Sequence, residues 1–285
     1  MTIRLAVREA AERLAAAGVD TPLLDAQLLL AHELGSSRER LFANSEEPLD
    51  CEHDASFREL IDRRVAGEPV SYLRNSKEFY GLDFYVDRRV LVPRPDTEIL
   101  VEEALRAVGR FSADEATITL HDSCSGSGCV AVAVAVEAPK LEVSFSDISD
   151  EALEVARRNW RRHLRSEPRA TQSDLLKSLE SRFHIITANP PYLTDEETTR
   201  MKETGWPEPA GALCGGPNGL SLIRRLVEQA VDYLWINGYL LLEAADHQAD
   251  DVKTIMKAAG FADIYQVRDL GDRRRVTIGR LGRAM

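Results

Sequence analysis

Asn189, Pro190, Pro191 and Tyr192 follow a short apolar run in "ITANPPYLTDEE". Each proline fixes its own φ and lacks an N–H, so its backbone offers only a carbonyl acceptor. Pro190 also biases Asn189 towards an extended conformation. The Asn189 side-chain oxygen and the Pro190 carbonyl could then accept the two hydrogens of one planar NH2. Tyr192 could lie against the flat face of that group. Such a grip aims the nitrogen lone pair at an electrophilic methyl group. It needs orientation and electrostatics rather than a strong base. The plainer reading of the tetrapeptide is a strand ended by a proline turn.

A second constellation lies upstream. "HDSCSGSGCVAVA" has strand, turn, helix order, and Gly126 and Gly128 lack a Cβ where a ligand would approach the helix start. Gly126, Gly128 and Ala131 fit the G-x-G-x-x-A dinucleotide pattern, weak evidence by itself. Asp147 ends the following strand about 20 residues on, where an acid can hold the two ribose hydroxyls of an adenosine ligand. As an isolated residue it could equally cap the helix that begins at "EALEV". NAD and S-adenosylmethionine both fit these features. Asp122, before the turn, favours the second. A carboxylate there suits a cationic methionine end and repels a pyrophosphate.

The elements that must position these residues divide into two parts. Residues 1–75 read as a small helical bundle. Its first helix carries Leu5, Ala10, Leu14 and Ala17 near one face. The second opens at Thr21-Pro22, a capping hydroxyl and an N1 proline, with Leu23, Leu24, Gln27, Leu28, Ala31 and Leu34. A short segment, "SRERLF", and a helix around Ser56 to Val65 complete the bundle. Residues 78–92 alternate and break at Gly81, as a hairpin joining the two parts would. Asp96 or Thr97 is placed to cap a helix over Glu98 to Val108. From Thr117, strands alternate with helices, which implies a parallel sheet covered on both faces. A long loop is expected from Asn189 to about Gly219. "FADIYQVRDL" and "RRRVTIGRL", separated at Gly271-Asp272, should form a closing antiparallel pair. The expected fold class is α/β, a Rossmann-like sheet with that closing hairpin. The expected divisions are a helical domain at 1–75, a linking β-hairpin at 76–95 and a cofactor domain at 96–285.

With 285 residues, 44% apolar and 29% charged, the chain has the balance of a soluble globular protein. The net charge of −11 divides as −4 over residues 1–95 and −7 over the rest, so no part is basic enough to grip a nucleic-acid backbone. The arginines of "RRNWRRHLR" fall late in an expected helix and read as a solvated face. Cys51, Cys124, Cys129 and Cys214 form no CxxC pair and no zinc-ligand spacing with histidines, so no metal is expected and reduced, cytoplasmic thiols are the default. "MTIRLAVREAAERLAAAG" has no continuous apolar core and carries Glu9 and Glu12, so neither a signal nor a transit peptide is expected. No apolar run approaches membrane-spanning length.

The chain resembles a known family through "EPVSYL", "EFYGLDFYV", "VLVPRPDTEILVE", "DSCSGSGCVAVA", "SDISDEALEVARRN", "SDLL", "ANPPYL", "EPAGALCGGPNGL" and "VRDLGDRRRV". These are similar to the protein-(glutamine-N5) methyltransferases of peptide-chain release factors, the HemK/PrmC type. The tetrapeptide at Asn189–Tyr192 is shared with nucleic-acid amine methyltransferases, whereas Pro93–Glu98, "PRPDTE", is far more specific. The resemblance implies methyl transfer from S-adenosyl-L-methionine, leaving S-adenosyl-L-homocysteine, to the glutamine of the release factors' Gly-Gly-Gln motif. By position it implies a cofactor turn of Cys124, Ser125, Gly126, Ser127 and Gly128, a ribose acid at Asp147, and Leu175 beside the adenine. Asn189, Pro190, Pro191 and Tyr192 would hold the glutamine amide, with Asn189 bordering both ligands. The helical domain and hairpin would dock the release factor, and the protein would act as a monomer. Departures from the family pattern fall at Ser123, at His184, at Ala244-Ala245 after Glu243, where the family has Ile-Gly, and at Arg74-Asn75.

Two readings compete with this one. A DNA or RNA exocyclic-amine methyltransferase calls for a basic face or a target-reading domain. A binding module for release factors or ribosomes would keep the fold without catalysis. A dehydrogenase is more distant.

Overall fold

The computed structural model describes residues 1–111 and 117–282. Residues 112–116 and 283–285 of the expected 96–285 domain lie outside the described residues. The backbone divides into two compact units: Met1–Ser76 with Gly205–Pro207, and Lys77–Thr204 with the residues from Glu208 onward.

The first unit holds α1 (Ile3–Ala16), α2 (Pro22–Glu33), α3 (Arg38–Ala43), α4 (Cys51–Val65) and α5 (Val70–Leu73). The Thr2 hydroxyl caps α1, and the Asp50 carboxylate caps α4 by accepting the Glu52 and His53 N–H groups. Ile3, Ala6, Ala10 and Leu14 of α1 meet Ala26, Leu29 and Leu30 of α2 and Phe57 and Ile61 of α4 in one core. The buried stripe of α1 thus runs through Ile3 and Ala6 rather than Leu5 and Ala17. In α2 the expected Leu23 is 54% exposed. Leucines surround that helix, so its neighbours, not its periodicity, select the buried side. Thr21 does not cap it either: its hydroxyl donates to Asp25 Oδ1 at 2.8 Å.

The second unit opens with a short hairpin, β1 (Lys77–Phe79) and β2 (Leu82–Phe84), turning at Tyr80-Gly81. Each strand is only three residues long, so the pairing ends well before residue 92. There follow α6 (Glu98–Val108), β3 (Thr119–Ser123), α7 (Cys129–Glu137), β4 (Glu142–Asp147), α8 (Asp150–Leu164), β5 (Arg169–Gln172) and β6 (Phe183–Ala188). The last elements are α9 (Asp195–Glu203), α10 (Ser221–Tyr233), β7 (Leu234–Glu243), α11 (Ala249–Ala258), β8 (Phe261–Arg268) and β9 (Arg274–Leu281).

Seven strands form one sheet in the order β5-β4-β3-β6-β7-β9-β8. Pairing is parallel from β5 through β7, and β9 runs antiparallel to both β7 and β8. The expected closing hairpin is therefore present. Ile186, Ala188, Leu240 and Leu242 pack with Ile223 and Leu226 of α10 and Val252 and Met256 of α11. Strand alternation turns Ile185, Thr187 and Leu241 to the opposite face, where α6 packs.

Three elements were not expected: the short α5, β5 and α9. β5 is a polar edge strand, "RATQ", and α9 interrupts the long loop after Asn189. α9 starts with a capping box: the Thr194 hydroxyl accepts the Glu197 N–H, and the Glu197 carboxylate accepts the Thr194 N–H. The arginines of α8 are engaged. Arg157, Arg161 and Arg162 pair with Asp150, Glu167 and Asp83, and Arg158 lies over the Tyr85 ring. Among the described residues, no helix is long and apolar enough to cross a membrane.

Candidate active site

Strand register brings the candidate residues together. Asp122 pairs with Thr187, and Ser123 with Ala188. The next residues, Cys124 and Asn189, therefore leave the sheet side by side. Asp147 closes β4 beside them. A cavity of about 670 Å³ opens at these carboxyl ends, lined by Asp122, Cys124, Ser125, Gly126, Ser127, Asp147, Leu175, Asn189 and Pro191. Ligands of open α/β sheets bind at this edge. Three of the expected site residues, Gly128, Pro190 and Tyr192, do not line its wall.

The glycine turn is tied to β4. Ser125 N–H donates to the Ser146 carbonyl, and Gly126 N–H donates to Asp147 Oδ2 at 2.9 Å. Gly126 has φ +52 and open space where a Cβ would stand. Gly128 has φ +77, and its Cβ would lie 3.0 Å from Ala156 Cβ on α8. The second glycine thus serves the close approach of two helices. Cys124 and Leu175, with φ +57 and +60, are held in the left-handed region that side chains disfavour. Both line the cavity.

Asp147 does not cap α8. That role belongs to the Ser149 hydroxyl, which accepts the Ala152 N–H. Burial raises the Asp147 carboxyl above its ordinary range, against the backbone N–H groups it accepts from Ser149, Gly126 and Ile148. Asp122 is pushed further, to about 7, by complete burial; the Thr187 hydroxyl, donating at 2.7 Å, opposes the shift. The Ser125 hydroxyl is buried and has no hydrogen-bond partner among the described residues. Cys124 and Cys129 thiols are pushed up to about 12, chiefly by burial, so neither is a nucleophile at neutral pH. Burial holds His121 down at about 3, between the Ser144 and Ser146 hydroxyls.

Asn189 is reached from "PRPDTE". Its Nδ2 donates to Thr97 Oγ1 at 3.4 Å. Thr97 was expected, with Asp96, as a helix cap; the structure gives neither side chain a capping bond to α6. Asp96 instead pairs with Arg275 of β9 at 2.9 Å, and Arg275 pairs with Asp269 in the closing turn at 3.0 Å. Glu208 accepts the Val92 N–H at 2.9 Å and pairs with Arg94, fixing the chain before "PRPDTE". The "CGGPNG" loop packs on the tetrapeptide from the other side. A Cβ on Gly215 would stand 2.5 Å from the Pro191 carbonyl oxygen, and one on Gly219 would stand 2.1 Å from that of Tyr192. Gln248 Nε2 donates to this Tyr192 carbonyl at 2.9 Å.

Sequence reasoning missed several cavity residues: Arg94 and Thr97, Ile148 and Ser149, and Ser173 and Asp174. Glu243, buried where β7 ends beside Asn189, was likewise not singled out. Ser123 and Ala244 are buried, and His184, at the opposite end of β6, accepts the Thr119 N–H at Nδ1. Among the described residues no group of three metal-ligating side chains is gathered.

Residues 6–74 match the family model of the PrmC N-terminal domain, and residues 103–204 match that of the methyltransferase small domain. The release factor glutamine methyltransferase of Burkholderia pseudomallei is 40% identical over 281 residues, 95% of this chain and 96% of that one. Its counterpart in Rhodopirellula baltica is 39% identical over 269 residues, 91% of this chain and 89% of that one. Among solved structures, a methyltransferase from Pyrococcus furiosus shares the fold with a TM-score of 0.53 at 20% identity, over 72% of this chain and 92% of that one.

Proposed function

This chain belongs to the release factor glutamine methyltransferases, and from that premise we propose that it methylates the side-chain nitrogen N5 of the glutamine in the release factors' Gly-Gly-Gln motif, using S-adenosyl-L-methionine. It is a methyltransferase and acts on the release-factor glutamine. One observation carries the finer reading: Asn189 lines the same cavity as Asp147 and the glycine turn. An acceptor for an amide NH2 and a wall suited to an adenosine ligand thus share one space.

The residues fit S-adenosylmethionine. Asp147 offers a carboxylate to ribose hydroxyls, Asp122 offers one to a cationic methionine end, and the unpartnered Ser125 hydroxyl is free for a polar ligand atom. Leu175 supplies an apolar edge for the adenine. When bound, the cofactor supplies a methyl group on a positively charged sulfur. The chain's own work is to hold the glutamine. Asn189 Oδ1 and the Pro190 carbonyl accept its two amide hydrogens, Pro191 and Pro190 stiffen the segment, and Tyr192 supports the flat face of the amide. Acceptors on both hydrogens favour a pyramidal, nucleophilic nitrogen, and its surplus proton can leave after transfer. The product left behind is S-adenosyl-L-homocysteine.

The helical unit at 1–75 and the segment at 76–95 would help dock the release factor. A chain of net charge −11, with the α8 arginines paired, favours a protein substrate over a nucleic acid. We assign it to the cytoplasm, as a monomer. The test is to supply labelled S-adenosylmethionine with the cognate release factor, with that factor carrying Gln→Ala in Gly-Gly-Gln, or with nucleic acid. Label should enter the intact factor alone. Label on nucleic acid alone would overturn the reading, and binding of the factor without label would favour a non-catalytic module.

A further inference from the structure

One strained residue of the cavity wall is held from both sides. Leu175 has φ +60 and is buried. Its carbonyl and the Leu176 N–H belong to one peptide plane. The Ser146 hydroxyl of β4 donates to that carbonyl at 3.3 Å, and the Leu176 N–H donates to Gln229 Oε1 of α10 at 2.9 Å. With both edges of the plane bonded, the rotation that would take Leu175 out of the left-handed region is opposed. Behind Ser146 stands His121 of β3. Its Nε2 lies 2.8 Å from Ser146 Oγ, and its Nδ1 lies 2.9 Å from Ser144 Oγ. Both His121 and Ser146 are buried, neither lines the cavity, and the transfer described above uses neither.

Burial keeps His121 neutral, so the imidazole has one N–H to place, and each hydroxyl has one proton. Two arrangements follow. In the first, His121 Nε2–H donates to Ser146 Oγ, the Ser146 proton goes to the Leu175 carbonyl, and Ser144 donates to the bare Nδ1. In the second, Nδ1–H donates to Ser144 Oγ, whose proton goes to the Leu120 carbonyl at 3.4 Å, and Ser146 donates back to Nε2. The second leaves the buried Leu175 carbonyl without a donor. The first deprives no group. The Glu142 N–H donates to the Ile118 carbonyl, and two residues on the same parallel ladder sets the Ser144 N–H on the carbonyl of Leu120. A buried carbonyl with no donor keeps its full desolvation cost, so the first arrangement is favoured. We propose that His121 is a positioning residue: in its Nε2–H tautomer it turns the Ser146 hydroxyl to the Leu175 carbonyl and so fixes Leu175 as the wall on which the adenine rests. This rests on the reading of Leu175 given above.

The test uses the full chain. In the wild type labelled with 15N, two-bond proton–nitrogen correlation should show His121 protonated at Nε2, its signals identified by their loss in His121→Gln. This measurement needs neither ligand nor activity. Ser146→Ala, which removes the donor to Leu175, should weaken S-adenosylhomocysteine about tenfold by calorimetry, as expected for one net hydrogen bond. It should raise the S-adenosylmethionine KM by as much, with kcat and the release-factor KM within about threefold. His121→Gln sets an amide N–H near the place of Nε2–H and should bind within about threefold of the wild type, whereas His121→Leu should lose about tenfold. An Nδ1–H tautomer in the wild type overturns the proposal, as does unchanged affinity in Ser146→Ala or equal loss in the two His121 variants. Unchanged affinity in Leu175→Ala, or a wild type that binds no S-adenosylhomocysteine, would instead refute the reading of Leu175, while the tautomer still decides the hydrogen-bond arrangement.

Discussion

The Asn189 side-chain amide donates to the Thr97 hydroxyl across 3.4 Å, although 92 positions separate the two in the chain. This bond ties "PRPDTE" to "ANPPYL" in the folded chain. The first motif ends where α6 begins, and α6 lies over the carboxyl ends of β6 and β7. Asp96 adds a second tie, to Arg275 in the closing hairpin. The segment that holds Thr97 against Asn189 is thus itself tied to the closing hairpin.

Stability should fall as pH rises from the ordinary carboxylate range to about 7. Asp122 and Glu243 are both held near 7 by burial. An acid whose pKa is raised by folding binds more protons in the native state, so stability is full below the unfolded pKa and lost on the way up to the folded one. Asp87, Asp174 and Glu197, whose carboxyls are lowered, act in the opposite sense below their unfolded pKa, and His121 and His32, held neutral by burial, oppose the fall up to the unfolded histidine pKa, so that the two raised carboxyls outweigh them only in part there. Chemical denaturation at pH 5 and pH 8 should show a difference on the order of a few kcal/mol, reduced in Glu243→Gln. An undiminished difference in that variant would remove Glu243 from the explanation.

Cofactor binding should take up the same linkage. A cationic ligand beside Asp122 favours its carboxylate, so S-adenosylmethionine should bind more tightly as pH rises towards 7, by up to about tenfold per unit, with release of a proton. Calorimetry in buffers of different ionisation enthalpy measures that proton. Asp122→Asn should weaken binding and flatten the dependence. A wild-type affinity that does not change with pH would place the cation away from Asp122.

The two glycines of the turn should respond differently to alanine. At Gly126 the substitution meets nothing within 4 Å, and only the positive φ opposes it, at about 1 kcal/mol. At Gly128 the new methyl would also meet Ala156 at 3.0 Å, on helix backbone that cannot easily yield. Gly128→Ala should therefore cost about 2 kcal/mol or more, and unfolding curves of both variants compare them directly. Equal losses would mean that helix packing is not what Gly128 provides.

Much of this was legible in the sequence because it is local. Strand-helix alternation, the glycine turn and Asp147 each carry their signal within a few residues. β5 escaped because "RATQ" has no apolar alternation; as an edge strand it is held by one neighbour, β4. α9 escaped because Thr198 is its one buried residue, which leaves no apolar stripe. Its capping box, Thr194 to Glu197, was the readable signal. The packing role of Gly128 was not legible, because the same pattern serves a ligand or a neighbouring helix and Ala156 lies far along the chain. Thr97, Asn189 and Glu243 could not be joined beforehand, since their proximity depends on the register of β6 against β7. That register is set by packing on both faces of the sheet rather than by any local sequence.

The account depends above all on Asn189 as the acceptor that orients the glutamine amide. Single-turnover transfer of labelled methyl to the release factor, by the wild type and by Asn189→Ala with cofactor saturating, tests this most directly. The rate should fall on the order of a hundredfold, as for a misplaced reacting group, with the cofactor Kd within about threefold. A variant that transfers the methyl group at the wild-type rate would contradict the account.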